Sequence, residues 1–169
     1  MNRIFLTGYM GSGKSTIGKM LASTLGFSFI DLDIYIETKY HKTIAQIFSE
    51  KGEEKFRQIE MKCLHQVAEF ENTVIATGGG VPCFFDNMEF MNSQGRTFYI
   101  QLTAQQLSVR LEVSPVGKRP VLSDRKGDEL CNFIEQGLIK RESFYLQSQH
   151  IVDGSGTVEK IVSDIASLI

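Results

Sequence analysis

The chain has 169 residues, is 42% hydrophobic and 22% charged, and carries a formal net charge of −2. That length suits a single compact domain with a core of its own. The near-neutral charge excludes a dedicated nucleic-acid binder, which carries a strongly basic domain, and no apolar run approaches the ~20 residues of a membrane-spanning helix.

Strand and helix alternate along the chain. Arg3 to Thr7 is an apolar run that reads as a buried strand. A glycine-rich stretch follows, then Ile17, Met20, Leu21, Thr24 and Leu25 at helical spacing, with Gly26 as the stop. Phe27 to Ile30 reads as a second strand. Helical patterns come next, one around Ile44 to Phe48 and a longer one through Phe56, Ile59, Cys63, Val67 and Phe70. Val74 to Ala76 is a third strand ending in Thr77-Gly78-Gly79-Gly80. Asp86 to Asn92 is helical and Thr97 to Leu102 a fourth strand, after which Thr103 caps a short helix through Leu107 and Leu111. Residues 112–126 lack periodicity and hold two of the three prolines and four basic residues, a long loop for so small a chain and more consistent with function than with filler. A helix from Asp128 to about Leu146, a strand His150 to Asp153 and a helix Thr157 to Ile169 complete the pattern. Strands separated by helices imply an α/β fold, a parallel five-stranded sheet covered on both faces by helices.

The three cysteines, Cys63, Cys83 and Cys131, are odd in number and form no Cys-x-x-Cys pair, which fits small apolar residues in a reducing compartment. The run Ile4-Phe5-Leu6 is too short for a signal peptide. A cytoplasmic protein is the expectation.

The sharpest chemical signal is Gly8-Tyr9-Met10-Gly11-Ser12-Gly13-Lys14-Ser15, a full Gly-x-x-x-x-Gly-Lys-Ser phosphate loop between a strand and a helix. Glycines permit the close approach that lets successive N–H groups, Gly11 through Thr16, wrap an anion at a helix N-terminus. Lys14 is placed to reach the β/γ-phosphates and Ser15 to offer a hydroxyl to Mg²⁺. The loop establishes a nucleotide-phosphate site and leaves open how the phosphate is used.

The remaining motifs choose. Asp31 and Asp33 stand at the carboxyl end of the second strand, where α/β sheets bind ligands. Two apart on a strand, they would face one ligand set, Asp31 in an outer-sphere role on Mg²⁺ and Asp33 accepting a substrate hydroxyl; an Asp cap opening a helix is the alternative. Arg57 precedes Glu60 by three residues, so a pair on one helix face can hold the guanidinium ready for a carboxylate, or be an ordinary solvated pair. Gly78, Gly79 and Gly80 suit main-chain contact with a ligand, or a plain turn. Arg119, in Lys118-Arg119-Pro120, would stabilise a transferring phosphoryl group if its loop closes over the nucleotide. Arg141 is a candidate second carboxylate clamp, or an exposed arginine near a helix end. His41, His65 and His150 fall outside these motifs and read as surface or packing residues.

Together Gly8-x-Met10-Gly11-x-Gly13-Lys14-Ser15-Thr16-x-Gly18, Asp31-x-Asp33, Gly52-Glu53-x-x-Phe56-Arg57-x-x-Glu60, Thr77-Gly78-Gly79-Gly80, Arg119-Pro120 and Arg141-x-x-x-Tyr145 resemble the shikimate kinases in order and spacing. The resemblance implies the nucleoside monophosphate kinase-like fold with a mobile lid at about 112–126 and an acceptor-binding region at about 33–60. It implies ATP as co-substrate, Mg²⁺, and transfer of the γ-phosphate to the 3-hydroxyl of shikimate. Asp33, Arg57, Gly78, Gly79, Gly80 and Arg141 would hold shikimate, Lys14 and Arg119 the phosphoryl charge, Ser15 and Asp31 the metal, and Arg110 would pack on adenine. Leu32, where a small hydroxyl residue is usual, and Val121, where leucine is, depart from the pattern. A monomer without nucleic-acid or membrane partners is expected. Rival readings are a kinase for gluconate or a nucleoside monophosphate, a nucleotide switch, and an inactive paralogue. The missing Asn-Lys-x-Asp motif counts against a GTPase, and retention of Lys14, Asp33 and Arg119 counts against loss of catalysis.

Overall fold

The computed structural model describes residues 2–113 and 124–169. Five parallel strands among the described residues are ordered β2-β3-β1-β4-β5: β1 Arg3–Thr7, β2 Ser28–Asp31, β3 Thr73–Ala76, β4 Arg96–Gln101 and β5 His150–Asp153. Around them lie α1 Lys14–Leu25, α2 Leu32–Tyr40, α3 Ile44–Val67, α4 Asn87–Gln94, α5 Ala104–Glu112, α6 Gly127–Tyr145 and α7 Val158–Ala166.

Strand alternation sorts the core into layers. On β1, Ile4 and Leu6 join Ile17 and Leu21 of α1 and Ile161 and Ile165 of α7, while Phe5 points the other way, to Leu32, Ile36, Phe56 and Leu64 of α2 and α3. On β4, Phe98 and Ile100 face the α1–α7 layer and Tyr99 faces Leu107, Ile134 and Tyr145 of α5 and α6. Helices thus cover both faces. All five strands end toward one rim, and the order reverses between β3 and β1, the place where such sheets open a crevice.

Local chemistry sets the helix ends. Gly26 closes α1 at φ 67°, and capping boxes Thr43–Gln46 and Thr103–Gln106 open α3 and α5. The two helical patterns expected across 44–70 are joined in α3 but broken at Gly52, whose φ of 79° and ψ of 169° belong to glycine alone. Phe70 lies beyond α3 and is half exposed, because the apolar stripe ends at Val67. Helix α2, the alternative reading at Asp31, follows β2 directly; its buried residues are only Leu32 and Ile36, one turn apart. Cys63 alone of the cysteines is fully buried, the other two being half-buried. His65 stacks on Phe90 and His150 on Phe98, the packing roles expected. Arg119 and most of the loop 112–126 lie outside the described residues.

Candidate active site: a phosphate cradle facing an arginine-lined pocket

The β1–α1 turn builds the first half of the site. Gly8, Gly11 and Gly13 hold φ of 142°, 85° and 92°, so the loop arches in a form closed to other residues. The Lys14 ammonium, 9% exposed, is held inside the arch at 2.7 Å from the Gly8 carbonyl, 3.0 Å from that of Tyr9 and 3.4 Å from Ser12 Oγ. These contacts hold the cation within the loop, at the positive end of α1. Thr16 is exposed on the first turn of that helix.

Asp31 links this cradle to the second half. Its Oδ2 accepts from Ser15 Oγ at 2.5 Å, and its Oδ1 accepts from the backbone N–H groups of Asp33 and Ile34, capping α2. Asp31 is therefore both helix cap and neighbour of the loop hydroxyl. The strand geometry expected for Asp31 and Asp33 is corrected: β2 stops at Asp31, and Asp33 sits in the first turn of α2. The carboxyl of Asp33 is pushed above the usual carboxylate range, first by burial and then by Asp31, with Lys14 and Arg57 pulling it down. It lies between the lysine of one half-site and the arginine of the other.

The second half lies at the end of β3. Arg57 Nη1 donates to Glu60 Oε2 at 2.8 Å; the arginine side chain is 12% exposed and the glutamate 2%. Phe84 covers the guanidinium face at 4.2 Å, and Arg57 Nε is buried without a hydrogen-bond partner among the described residues, with Glu53 Oε1 at 3.7 Å. A buried arginine so braced presents its remaining donors in a fixed fork suited to a carboxylate. The glycine triplet is a turn, with Val81 N–H donating to the Gly78 carbonyl at 3.1 Å, and it is closely approached by side chains: a Cβ on Gly78 would lie 2.9 Å from Asp33 Oδ1 and one on Gly80 2.5 Å from Arg57 Nη1, while one on Gly79 would be in ordinary contact with Arg141 Nη1 at 3.6 Å. Arg141, from α6, also leans on the Tyr9 ring at 5.5 Å. The carboxyl of Asp33, two arginines and bare main chain are thus brought together beside the phosphate loop.

Gly80 provides a direct test. Its φ of −87° and ψ of −18° are open to alanine, so a fall in melting temperature in Gly80→Ala would report displacement of the buried Arg57–Glu60 pair rather than backbone strain. The new methyl must displace the Arg57 guanidinium. Acceptor KM should rise about tenfold with nucleotide KM unchanged, in line with the cost of small misplacements; steady-state kinetics and a thermal melt check both halves.

Arg110 bridges the phosphate loop and the β5–α7 turn, donating to the Ser12 carbonyl at 3.2 Å and the Gly154 carbonyl at 2.6 Å. Its plane therefore stands where the loop and that turn meet. Two contributors escaped the sequence. Phe84 follows the glycine triplet without any periodic signal, and Asn87, 1% exposed, donates to the Val81 carbonyl at 2.9 Å and so fastens the turn after the triplet. Both act through tertiary contact, which spacing cannot reveal.

The shikimate kinase family model matches residues 10–169. A shikimate kinase of Parabacteroides distasonis is 52% identical across the whole of this chain and 98% of its own length. The crystal structure of shikimate kinase from Bacteroides thetaiotaomicron, 48% identical, superposes with a TM-score of 0.94 over 99% of this chain and 97% of that one. That of the Acinetobacter baumannii shikimate kinase in complex with shikimate is 29% identical with a TM-score of 0.89, covering 99% of this chain and 92% of that one. With a family match over residues 10–169 and likeness over the full length, the chain belongs to the shikimate kinase family.

Proposed function

We infer that this chain transfers the γ-phosphate of ATP to the 3-hydroxyl of shikimate, giving shikimate 3-phosphate and ADP. The observation that carries the reading is the place of Asp33, a partly buried carboxyl set against Gly78 and acted on by Lys14 of the phosphate loop and by Arg57. A polyol acid fits the second half: its carboxylate to Arg57 and Arg141, its hydroxyls to Asp33 and to the main chain of Gly78, Gly79 and Gly80. Phosphoryl transfer asks chiefly for positioning and charge neutralisation. The N–H groups of Gly11 to Thr16 and the Lys14 ammonium would hold the phosphates, and Arg110 would pack on the adenine. Asp33 would orient the attacking hydroxyl and take its hydrogen bond; its raised pKa brings the carboxylate nearer a base's working range. Arg119 is proposed to stabilise the charge of the transferring group.

The donor set also fits Mg²⁺. The Ser15 hydroxyl and the Asp31 carboxylate, 2.5 Å apart, are hard oxygen donors beside the phosphate cradle. Substrate phosphates and water would complete the shell of such an ion. When bound, the ion would neutralise charge on the β- and γ-phosphates.

A coupled ADP-release assay tests the reading, with shikimate offered beside gluconate, AMP and CMP. Shikimate should stimulate ADP release far above the others. Equal or lower stimulation by shikimate removes the acceptor assignment.

Glu60 adds a pH dependence. Burial lifts its carboxyl from 4.5 to about 7, against the downward pull of Arg57. A bound carboxylate beside Arg57 adds negative charge and must raise that pKa further. Acceptor binding near pH 7 should therefore take up part of a proton, so that affinity weakens as pH rises through this range. Calorimetry in buffers of differing ionisation enthalpy reads this uptake directly. The uptake should vanish in Glu60→Gln, and its persistence there would assign it to another group.

A further inference from the structure

Tyr145 is not among the residues assigned to the transfer, yet its side chain is tied to the glycine triplet. Its ring is fully buried and its hydroxyl donates to the Gly79 carbonyl at 2.6 Å, across 66 residues of sequence. Gly79 is the middle of the triplet. A Cβ there would lie 3.4 Å from the Met10 backbone nitrogen and 3.6 Å from both the Gly8 carbonyl and Arg141 Nη1, so it touches phosphate loop and arginine alike. Arg141 lies one turn before Tyr145 on the same face of α6. One turn earlier again, Gly137 admits the Tyr9 ring, where a Cβ would meet the Tyr9 hydroxyl at 2.5 Å. A single stripe of α6, in steps of four residues, therefore seats the phosphate loop, presents the arginine and grips the glycine triplet. The Arg141 guanidinium and the Tyr145 hydroxyl thus both lie against Gly79.

We propose that Tyr145 is a positioning residue, its hydroxyl setting the separation between the Arg141 guanidinium and the Gly79–Gly80 main chain and thereby the fit of the acceptor. The proposal rests on the assignment of Arg141 to the acceptor carboxylate. A buried phenol tends to find a partner, and the one chosen here is a carbonyl of the pocket wall. With that bond the triplet and the turn carrying Arg141 move as one body. Without it the ring still fills its space, but the wall and the guanidinium are free to part.

Tyr99 supplies the control. Its ring, also buried, lies 5.1 Å from that of Tyr145, and its hydroxyl donates to Glu142 Oε1 at 3.3 Å, away from the triplet. Tyr145→Phe and Tyr99→Phe each remove one oxygen from the same cluster. Tyr145→Phe should raise shikimate KM by about 3- to 10-fold, the weight of one hydrogen bond, with ATP KM within about twofold. Tyr99→Phe should leave shikimate KM unchanged at a comparable change in melting temperature. In a double-mutant cycle, Tyr145→Phe should add little to Arg141→Ala, because the group it positions is gone.

Unchanged shikimate KM in Tyr145→Phe, or an equal rise in both Phe variants, overturns the proposal. Full additivity in the cycle does the same. If Arg141→Ala alone leaves shikimate KM unchanged, the assignment of the arginine fails, and the positioning role falls with it. If Arg141→Ala raises shikimate KM and Tyr145→Phe does not, only the positioning role is lost.

Discussion

Replacing Lys14 with methionine is expected to lower kcat by about 10²- to 10³-fold or more, the scale of removing one preorganised group from a developing charge. The side chains are similar in length, and the lysine is held by carbonyl oxygens of its own loop at 2.7 and 3.0 Å. The fold should survive the loss of those contacts. The contacts also place the cation within the loop before any substrate arrives, so its charge is already positioned there. Single-turnover kinetics should locate the loss in the chemical step, with shikimate binding intact. A variant with near-normal single-turnover rate would remove Lys14 from the catalytic group.

The second large effect belongs to Arg57. Arg57→Ala should raise shikimate KM by about 10²-fold while ATP KM changes little, since truncating one partner of a buried charge pair costs 2–5 kcal/mol. The substitution also strands Glu60, 2% exposed, without its cation. Glu60 should then hold its proton to still higher pH, and the stability of the variant should fall as pH rises toward that pKa, because its folded state binds a proton that the unfolded chain has released. Melting curves from pH 5 to 9 separate this from the kinetic effect. Equal rises in the two KM values would refute a role confined to the acceptor.

The sequence carried the parts whose physics is local. The Gly8-to-Ser15 loop is legible because only glycine takes the φ values of Gly8, Gly11 and Gly13. Strands β1, β3, β4 and β5 are legible as short apolar runs between turn signals, and the caps at Thr103 and Gly26 as single-residue chemistry. What failed was short or tertiary. Helix α2 has two buried residues and a cap that also serves the site, so Asp31-Leu32-Asp33 reads as strand end until the fold shows Asp31 bonding the N–H groups of the next turn. Arg57 and Glu60 were visible as a pair three residues apart, but their burial was not. Phe84, Asn87 and the grip of Tyr145 on Gly79 depend on which segments meet, and no spacing within one segment encodes that.

The central claim is spatial: the nucleotide cradle and the acid-binding pocket open onto one another at the rim of the sheet. A crystal structure with shikimate and a non-hydrolysable ATP analogue tests it most directly. The prediction is a shikimate carboxylate on Arg57 and Arg141, with its 3-hydroxyl on Asp33 and turned to the terminal phosphate held by Lys14. Shikimate bound elsewhere, or bound with Asp33 and Arg57 directed away from that phosphate, would contradict it.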